Sequence, residues 1–355
     1  AQQTARRMIY GQMRTAEGVV IDDGLCVLFP PESSYTGQWS AELHCHGSPV
    51  VLEEVLRSAF AAGARQAKGG EFTKRAFLSG RMDLIQAEAV ADLIDAETAE
   101  SAQNAALQLS GAMSRGVEQV YGDLMDITSR FYAAVDYPDE DIEPLEQQQI
   151  ADTLTRSRAA LQRLLDTFHR GRILKQGIPT VLLGLPNAGK SSLLNALLGY
   201  DRAIVTEVAG TTRDTVEEKV RCGGQLLRLC DTAGIRETAD SVEKLGVDRA
   251  VAAAEQASLA LVVLDGSQPL TGPEDAVFAL AEKAEHTIII INKNDLPRRL
   301  DLAAIEGRFQ NICALSAKTG EGVEDLEAII QKLYPTPARE SGALLTNSRQ
   351  AEAVT

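Results

Sequence analysis

Eight residues near the middle of the chain have the types and spacing to hold a polyphosphate. Gly184-Leu-Pro-Asn187-Ala188-Gly189-Lys190-Ser191 fits G-x-x-x-x-G-K-[ST]. The apolar run IPTVLL precedes it and the helical run SLLNALLG follows from Ser192. Glycines let backbone N–H groups wrap phosphate oxygens, and the start of a helix adds partial positive charge. Lys190 is spaced to reach the β- and γ-phosphates, and the Ser191 hydroxyl to ligate Mg²⁺.

Further motifs specify the base and the phosphate sensors. Asn292-Lys293-Asn-Asp295 closes the strand-like run TIIIIN. A carboxylate accepts two hydrogen bonds, which suits the N1–H and N2–H₂ edge of guanine and finds no matching donor pair on adenine, so Asp295 selects guanine. Ser316-Ala317-Lys318 follows at a distance that lets it close over the base. Asp231-Thr232-Ala233-Gly234 follows the run LLRLC. Asp231 there holds Mg²⁺ through water, and the Gly234 N–H senses the γ-phosphate. Ala209-Gly210-Thr211-Thr212 lies between, without strand pattern, as expected of a loop ordered by nucleotide. Thr212 is the residue chosen to complete the Mg²⁺ shell. Ile235 stands where many GTP-hydrolysing switches carry a water-orienting glutamine, and it neither donates nor accepts a hydrogen bond. Arg213 and Arg236 flank these loops and read equally as switch stabilisers or surface residues.

Positioning these loops requires an α/β domain. Strand-like runs at 259–265 and 287–292 alternate with helical spacing, which predicts a mostly parallel sheet with helices on both faces over 173–335. Residues 1–83 mix short apolar runs with Gly and Pro and read as a small α+β domain. GVVIDDGLCVLFP reads there as a hairpin turning at DDG, WSAELHCHG as a strand, and PVVLEEVLRSAFAAGA as a helix ending near Gly63. Residues 84–172 carry long amphipathic patterns, broken by YPDEDIEP and resumed from about Leu145 to Arg170. PTPARESG reads as a linker, and 336–355 as a return to helix. The segment RRLDLAAIEGRFQ fits no motif.

The chain has 355 residues, 45% of them hydrophobic, and a net charge of −15, room for two or three domains. No run approaches the ~18 apolar residues of a membrane helix. Five scattered cysteines without C-x-x-C spacing fit a reduced cytosolic protein. So acidic a chain is a poor general binder of phosphate backbones, and the short basic cluster His169, Arg170, Arg172 and Lys175 reads as a solvated helix end. His44-Cys45-His46 has the residue types of a metal site, but no further ligand cluster accompanies it.

Together these residues resemble the tRNA-modifying GTPase MnmE (TrmE) family. The likeness rests on GLPNAGKSSLLNALLG, AIVTEVAGTTRD, DTAGIRE, SVEKLG and NKND. Outside that region it rests on ELHCHGSPVVLEEVL, GEFTKRAFLSGRMDLIQAEAVADLIDA and VDYPDEDI. The resemblance implies an N-terminal folate-binding and dimerisation domain, and a helical domain that carries the GTPase domain as an insert. It implies activation by dimerisation of the GTPase domains around K⁺, with Asn187, Thr206, Val208 and Thr211 as K⁺ ligands. Thr206, Glu207 and Val208 thereby join the GTP-binding set, and Glu243 becomes the water-positioning glutamate, working with Asn187 and Lys190 in catalysis. Glu42 and Arg81 match folate contacts.

The implied reaction modifies C5 of a tRNA wobble uridine, with a tetrahydrofolate derivative as carbon donor and a flavin-binding, MnmG-type partner that takes most of the tRNA contact. The family's terminal Cys-Ile-Gly-Lys motif and an N-terminal basic folate residue are absent from this sequence. The expectation is therefore a chain missing its start and end, which hydrolyses GTP but as it stands does not complete the modification. The alternative is a regulatory or ribosome-assembly GTPase, which predicts no folate binding at Glu42.

Overall fold

The computed structural model describes residues 6–137, 146–200, 218–230, 251–335 and 343–355. The residues fall into two units. The first comprises Ala1–Asp95 and Ala105–Gly122, the second Ala96–Asn104 and Asp123–Thr355.

The first unit holds an antiparallel sheet in the order β1-β2-β3: β1 (Ile9–Arg14), β2 (Val20–Phe29) and β3 (Ser40–His44). The expected hairpin turn at DDG is not there. Asp22, Asp23 and Gly24 lie inside β2, paired with Met13, Gln12 and Gly11, and the turn falls earlier, between β1 and β2. The DDG glycine serves a close approach instead of a reversal. A Cβ on Gly24 would lie 2.1 Å from the His44 carbonyl oxygen on β3, so only glycine fits that crossing.

Helix α1 (Pro49–Ala61) starts with proline at its first position, where no N–H bond is lost. Gly63 follows its end at φ +98°. α2 (Glu71–Leu78) and α3 (Leu84–Ile94) come next. Asp83 and Gln86 form a reciprocal capping box at the start of α3, at 2.8 and 2.9 Å. α4 (Ala99–Leu109) and α5 (Ala112–Asp136) complete the helical run that the spacing predicted.

In the second unit, α6 (Gln147–Asp166) and α7 (Phe168–Gln176) replace the single helix expected to end near Arg170. α7 leads through Gly177 into β4 (Ile178–Leu183). The sheet runs β5-β6-β4-β7-β8-β9. Its other strands are β5 (Glu218–Cys222), β6 (Gln225–Cys230), β7 (Leu259–Asp265), β8 (His286–Asn292) and β9 (Ile312–Ala314). Only edge strand β5 is antiparallel to its neighbour. The second unit also holds α8 (Lys190–Tyr200), α9 (Glu274–Ala281), α10 (Ala303–Glu306), α11 (Val323–Leu333) and α12 (Ser348–Val354).

Strands β4, β7 and β8 feed two cores. Leu182, Leu261, Ile288 and Ile290 pack on one face, while Val181, Val262, Ile289 and Ile291 pack on the other. A strand buried on both faces reads as an unbroken apolar run, which is how LALVVLD and TIIIIN read. The unassigned segment RRLDLAAIEGRFQ supplies Leu300, Ile305 and Phe309 to the second core.

Candidate nucleotide site

The loops with chemistry gather at the carboxyl ends of β4, β7, β8 and β9, the place where open parallel sheets bind ligands. After β4 the chain makes a tight loop. Gly184 has φ +146°, and a Cβ there would sit 2.4 Å from the Val263 carbonyl oxygen. Asn187 has φ +63°, a left-handed conformation that asparagine tolerates better than most residues. Gly189 has φ +100°, and a Cβ would meet Asn292 Nδ2 at 2.1 Å. The cradle is therefore bare backbone at the points where bulk would fill it.

Lys190 opens α8, and its Nζ donates to the carbonyls of Gly184 and Leu185 at 2.7 and 2.9 Å. Burial lowers its pKa below the usual lysine value. Ser191 and Ser192 are exposed on the first turn of α8.

Asn292, 2% exposed at the end of β8, ties three loops together. Its Nδ2 donates to the Ala188 carbonyl at 3.0 Å. Its Oδ1 accepts from the backbone N–H groups of Lys293 at 2.8 Å and Ala317 at 3.0 Å. The loop after β4 and the segments that follow β8 and β9 thus share one buried amide. Asp295 is exposed, and its Oδ1 accepts from the Ser316 hydroxyl at 2.8 Å. Ser316 is itself fully buried and held by its own N–H to Glu321 O at 2.9 Å. Lys318 is exposed beside them.

Lys293, at φ +64°, places its Nζ 2.6 Å from Asp265 Oδ2. Burial opposes ionisation of Asp265, but the Lys293 ammonium and two bonds from Ser267 outweigh it and hold the carboxyl below its ordinary value. The sequence reading missed Asp265. Its signal was present, because LALVVLD ends on a carboxylate in register with Asn292.

Thr206, Glu207, Val208, Ala209, Gly210, Thr211, Thr212, Asp231, Thr232, Ala233, Gly234 and Glu243 lie outside the described residues, as do Arg213, Ile235 and Arg236. Of the metal ligands expected, only Ser191 and Asn187 fall within them. The donor chemistry present fits GTP: a glycine-bare cradle, a lysine at the helix start and an exposed carboxylate oriented by a buried serine.

The first unit holds the other candidates. Glu42 lies exposed on β3, 3.4 Å from His44 Nε2. Arg81 follows α2, its stem crowding the space beside Gly37. Among the described residues no hydrogen bond or ion pair joins Glu42 to Arg81. His46 is engaged by Asp22, which accepts from its backbone N–H at 2.8 Å and meets its Nδ1 at 2.9 Å. Among the described residues no group of three or more His, Cys, Asp or Glu is arranged to hold a metal.

Comparison with known proteins gives consistent matches. The sequence model described as the MnmE helical domain matches residues 84–355, and that of the GTP-binding protein TrmE N-terminus matches residues 1–81. A tRNA modification GTPase MnmE from Xanthomonas campestris pv. campestris (strain B100) is 44% identical over 353 residues, 99% of this chain and 78% of that protein. The protein of the same description from Roseiflexus sp. (strain RS-1) is 42% identical over 359 residues, 98% of this chain and 77% of that one. Among solved structures, the G domain of the T. maritima FeoB iron transporter is 26% identical, covering 44% of this chain and 96% of its own, with a TM-score of 0.31.

Proposed function

This chain belongs to the MnmE family of tRNA modification GTPases, and from that premise we propose that it is a K⁺-stimulated GTPase activated by dimerisation, acting with a flavin-binding partner on tRNA wobble uridine. The observation that carries the GTP reading is the Asn292 amide, which fixes the phosphate loop against the loops bearing Asp295 and Ser316.

Binding follows from the loop geometry. Backbone N–H groups from Asn187 to Ser192 surround the phosphates, with Lys190 exchanging its carbonyl partners for phosphate oxygens. Asp295 accepts from the guanine edge while Ser316 holds one of its oxygens in place. Ile235 cannot orient water, and the resemblance to the MnmE family assigns that task to Glu243. Ser191 and Thr212 would hold Mg²⁺, and Asn187, Thr206, Val208 and Thr211 would hold K⁺; the two cations would supply, when bound, the charge neutralisation that phosphoryl transfer otherwise takes from an arginine finger. Hydrolysis then serves as a gate, opening and closing paired GTPase domains while the chemistry on tRNA proceeds elsewhere.

Glu42 and Arg81 are the residues proposed to hold a tetrahydrofolate derivative, which supplies a one-carbon unit when bound. Glu42 is suited to it, because its exposed carboxylate can accept the paired N–H and amino donors of a pterin. The homodimer and a cytoplasmic location belong to the same proposal.

The test is steady-state GTP hydrolysis in KCl against NaCl at equal ionic strength. The expected result is a rate at least tenfold higher in KCl, about 1.4 kcal/mol of barrier. Equal rates would remove the cation from the mechanism and leave the Ile235 position uncompensated.

A further inference from the structure

Positive charge in this acidic chain collects on the helical tract that leads into the nucleotide domain. Residues 147–176 carry Arg156, Arg158, Arg163, Arg170, Arg172 and Lys175 against only Asp152 and Asp166, in a chain of net charge −15. All six basic residues are exposed. Thr167, between α6 and α7, has φ −81° and ψ −17°, so the backbone stays helical across the junction. Arg156, Arg163 and Arg170 are spaced by seven residues, which keeps them on one stripe at intervals of about 10 Å.

The tract's own carboxylates do not neutralise it. Asp152 accepts from Gln148 Nε2 at 2.8 Å, and Asp166 from Gln162 Nε2 at 2.9 Å. Arg156 donates to the Thr153 hydroxyl at 3.0 Å. Among the described residues, Arg158, Arg163, Arg170 and Arg172 make no ion pair. Some arginines of the chain are neutralised by carboxylates on their own or a neighbouring element. Arg57 pairs with Glu53 and Glu54, Arg65 and Arg75 both pair with Glu71, and Arg308 pairs with Glu282 and Asp275. At the tract's far end, Glu285 reaches His169 at 4.0 Å. Arginines without an ion pair occur elsewhere among the described residues, Arg81 and Arg299 among them; what sets α6 and α7 apart is that Arg156, Arg163 and Arg170 share one exposed stripe whose own carboxylates are bonded to glutamines.

We propose that the exposed face of α6 and α7 is a docking surface for the phosphate backbone of tRNA. The proposal rests on the tRNA-modification reading above. Guanidinium groups present fixed donor forks that match phosphate oxygens, and each contact releases condensed counterions. The overall negative charge does not prevent this, because charges farther than a Debye length, about 8 Å at physiological ionic strength, are largely screened. Such contacts position the RNA without reading its sequence.

The experiment measures binding of fluorescently labelled tRNA to the full-length protein by anisotropy across a salt series. Wild type is compared with the triple variant Arg163→Gln, Arg170→Gln, Arg172→Gln. Glutamine keeps helix propensity and removes the charge. The expected result is affinity about 10–100-fold weaker near physiological salt, with a salt slope shallower by about 2–3. GTP affinity and GTP hydrolysis should match wild type. A variant with wild-type affinity and slope overturns the proposal. So does one that keeps tRNA binding but loses the flavoprotein partner, which would make the face a protein interface. If wild type binds no tRNA with or without that partner, the tRNA reading itself fails and takes the surface with it.

Discussion

Asp295 presents its carboxylate to solvent at the end of an ordered chain of hydrogen bonds through Ser316. Replacing it with asparagine keeps the shape and swaps an acceptor for a donor. We expect Asp295→Asn to weaken GTP binding about 10–150-fold, the range for losing a hydrogen bond to a charged group, and to favour xanthosine nucleotides in competition. A second prediction at this scale concerns His46. Its hydrogen bond to Asp22, with the attraction of that carboxylate and of Asp23, raises the imidazole pKa. Bonds from the His46 backbone N–H and ring lower that of Asp22. Tyr10 also donates to Asp23, so the neighbourhood is acidic. His46 therefore adds stability that is complete below its unfolded pKa and is lost as pH rises through the raised folded value. Asp22 adds stability present above its unfolded pKa and lost as pH falls through the lowered folded value. The pair holds between those two limits. An NMR titration should find His46 above the ordinary histidine value, and Asp22→Asn should bring it down.

At the scale of elements, two glycine crossings set the geometry. Gly24 lets β2 lie against the β3 carbonyl of His44. Gly24→Ala forces backbone apart from backbone, a strain of about 1–3 kcal/mol by analogy with overpacked cores, so the melting temperature should fall by several degrees. Gly189 does the same for the phosphate loop against Asn292, and an alanine there should abolish measurable GTP binding while the fold persists. The DDG reading failed because the turn preference of one Asp-Gly pair is weak beside the pairing of a ten-residue strand. Here the pairing of β2 with both β1 and β3 overrides it. Edge strands β5 and β9 escaped the sequence reading for a simpler reason. EKVRC and ICA are short, and three of the five residues of EKVRC are charged, so neither forms an apolar run.

At the scale of the whole chain, the mechanism proposed for Ile235 requires a second copy. Hydrolysis per subunit should then rise with protein concentration and level off once dimers predominate, with light scattering following the same curve. An undiminished rate at concentrations where light scattering finds monomer would place all catalytic groups on one chain. No described helix is long and apolar enough to cross a membrane. The −15 net charge and the basic α6–α7 tract together predict that added NaCl at fixed K⁺ affects tRNA binding far more than GTP hydrolysis.

The nucleotide site was legible in the sequence because its chemistry is local. A phosphate loop must be contiguous, since successive backbone N–H groups do the binding, and its glycines and lysine therefore keep a fixed spacing. The same holds for Asn292 to Asp295 and Ser316 to Lys318, each a short loop at a strand end. Family resemblance extended this to the flanking regions. What the sequence could not decide is which loops meet. Asn292 reaches Ala188 across 104 residues and Ala317 across 25, and Lys293 meets Asp265 across 28. Ion pairing of the arginines is divided between sequence and tertiary structure. Pairs such as Arg57–Glu54 follow from helical spacing, but Arg308 meets Glu282 across 26 residues, and only packing brings those two side chains together.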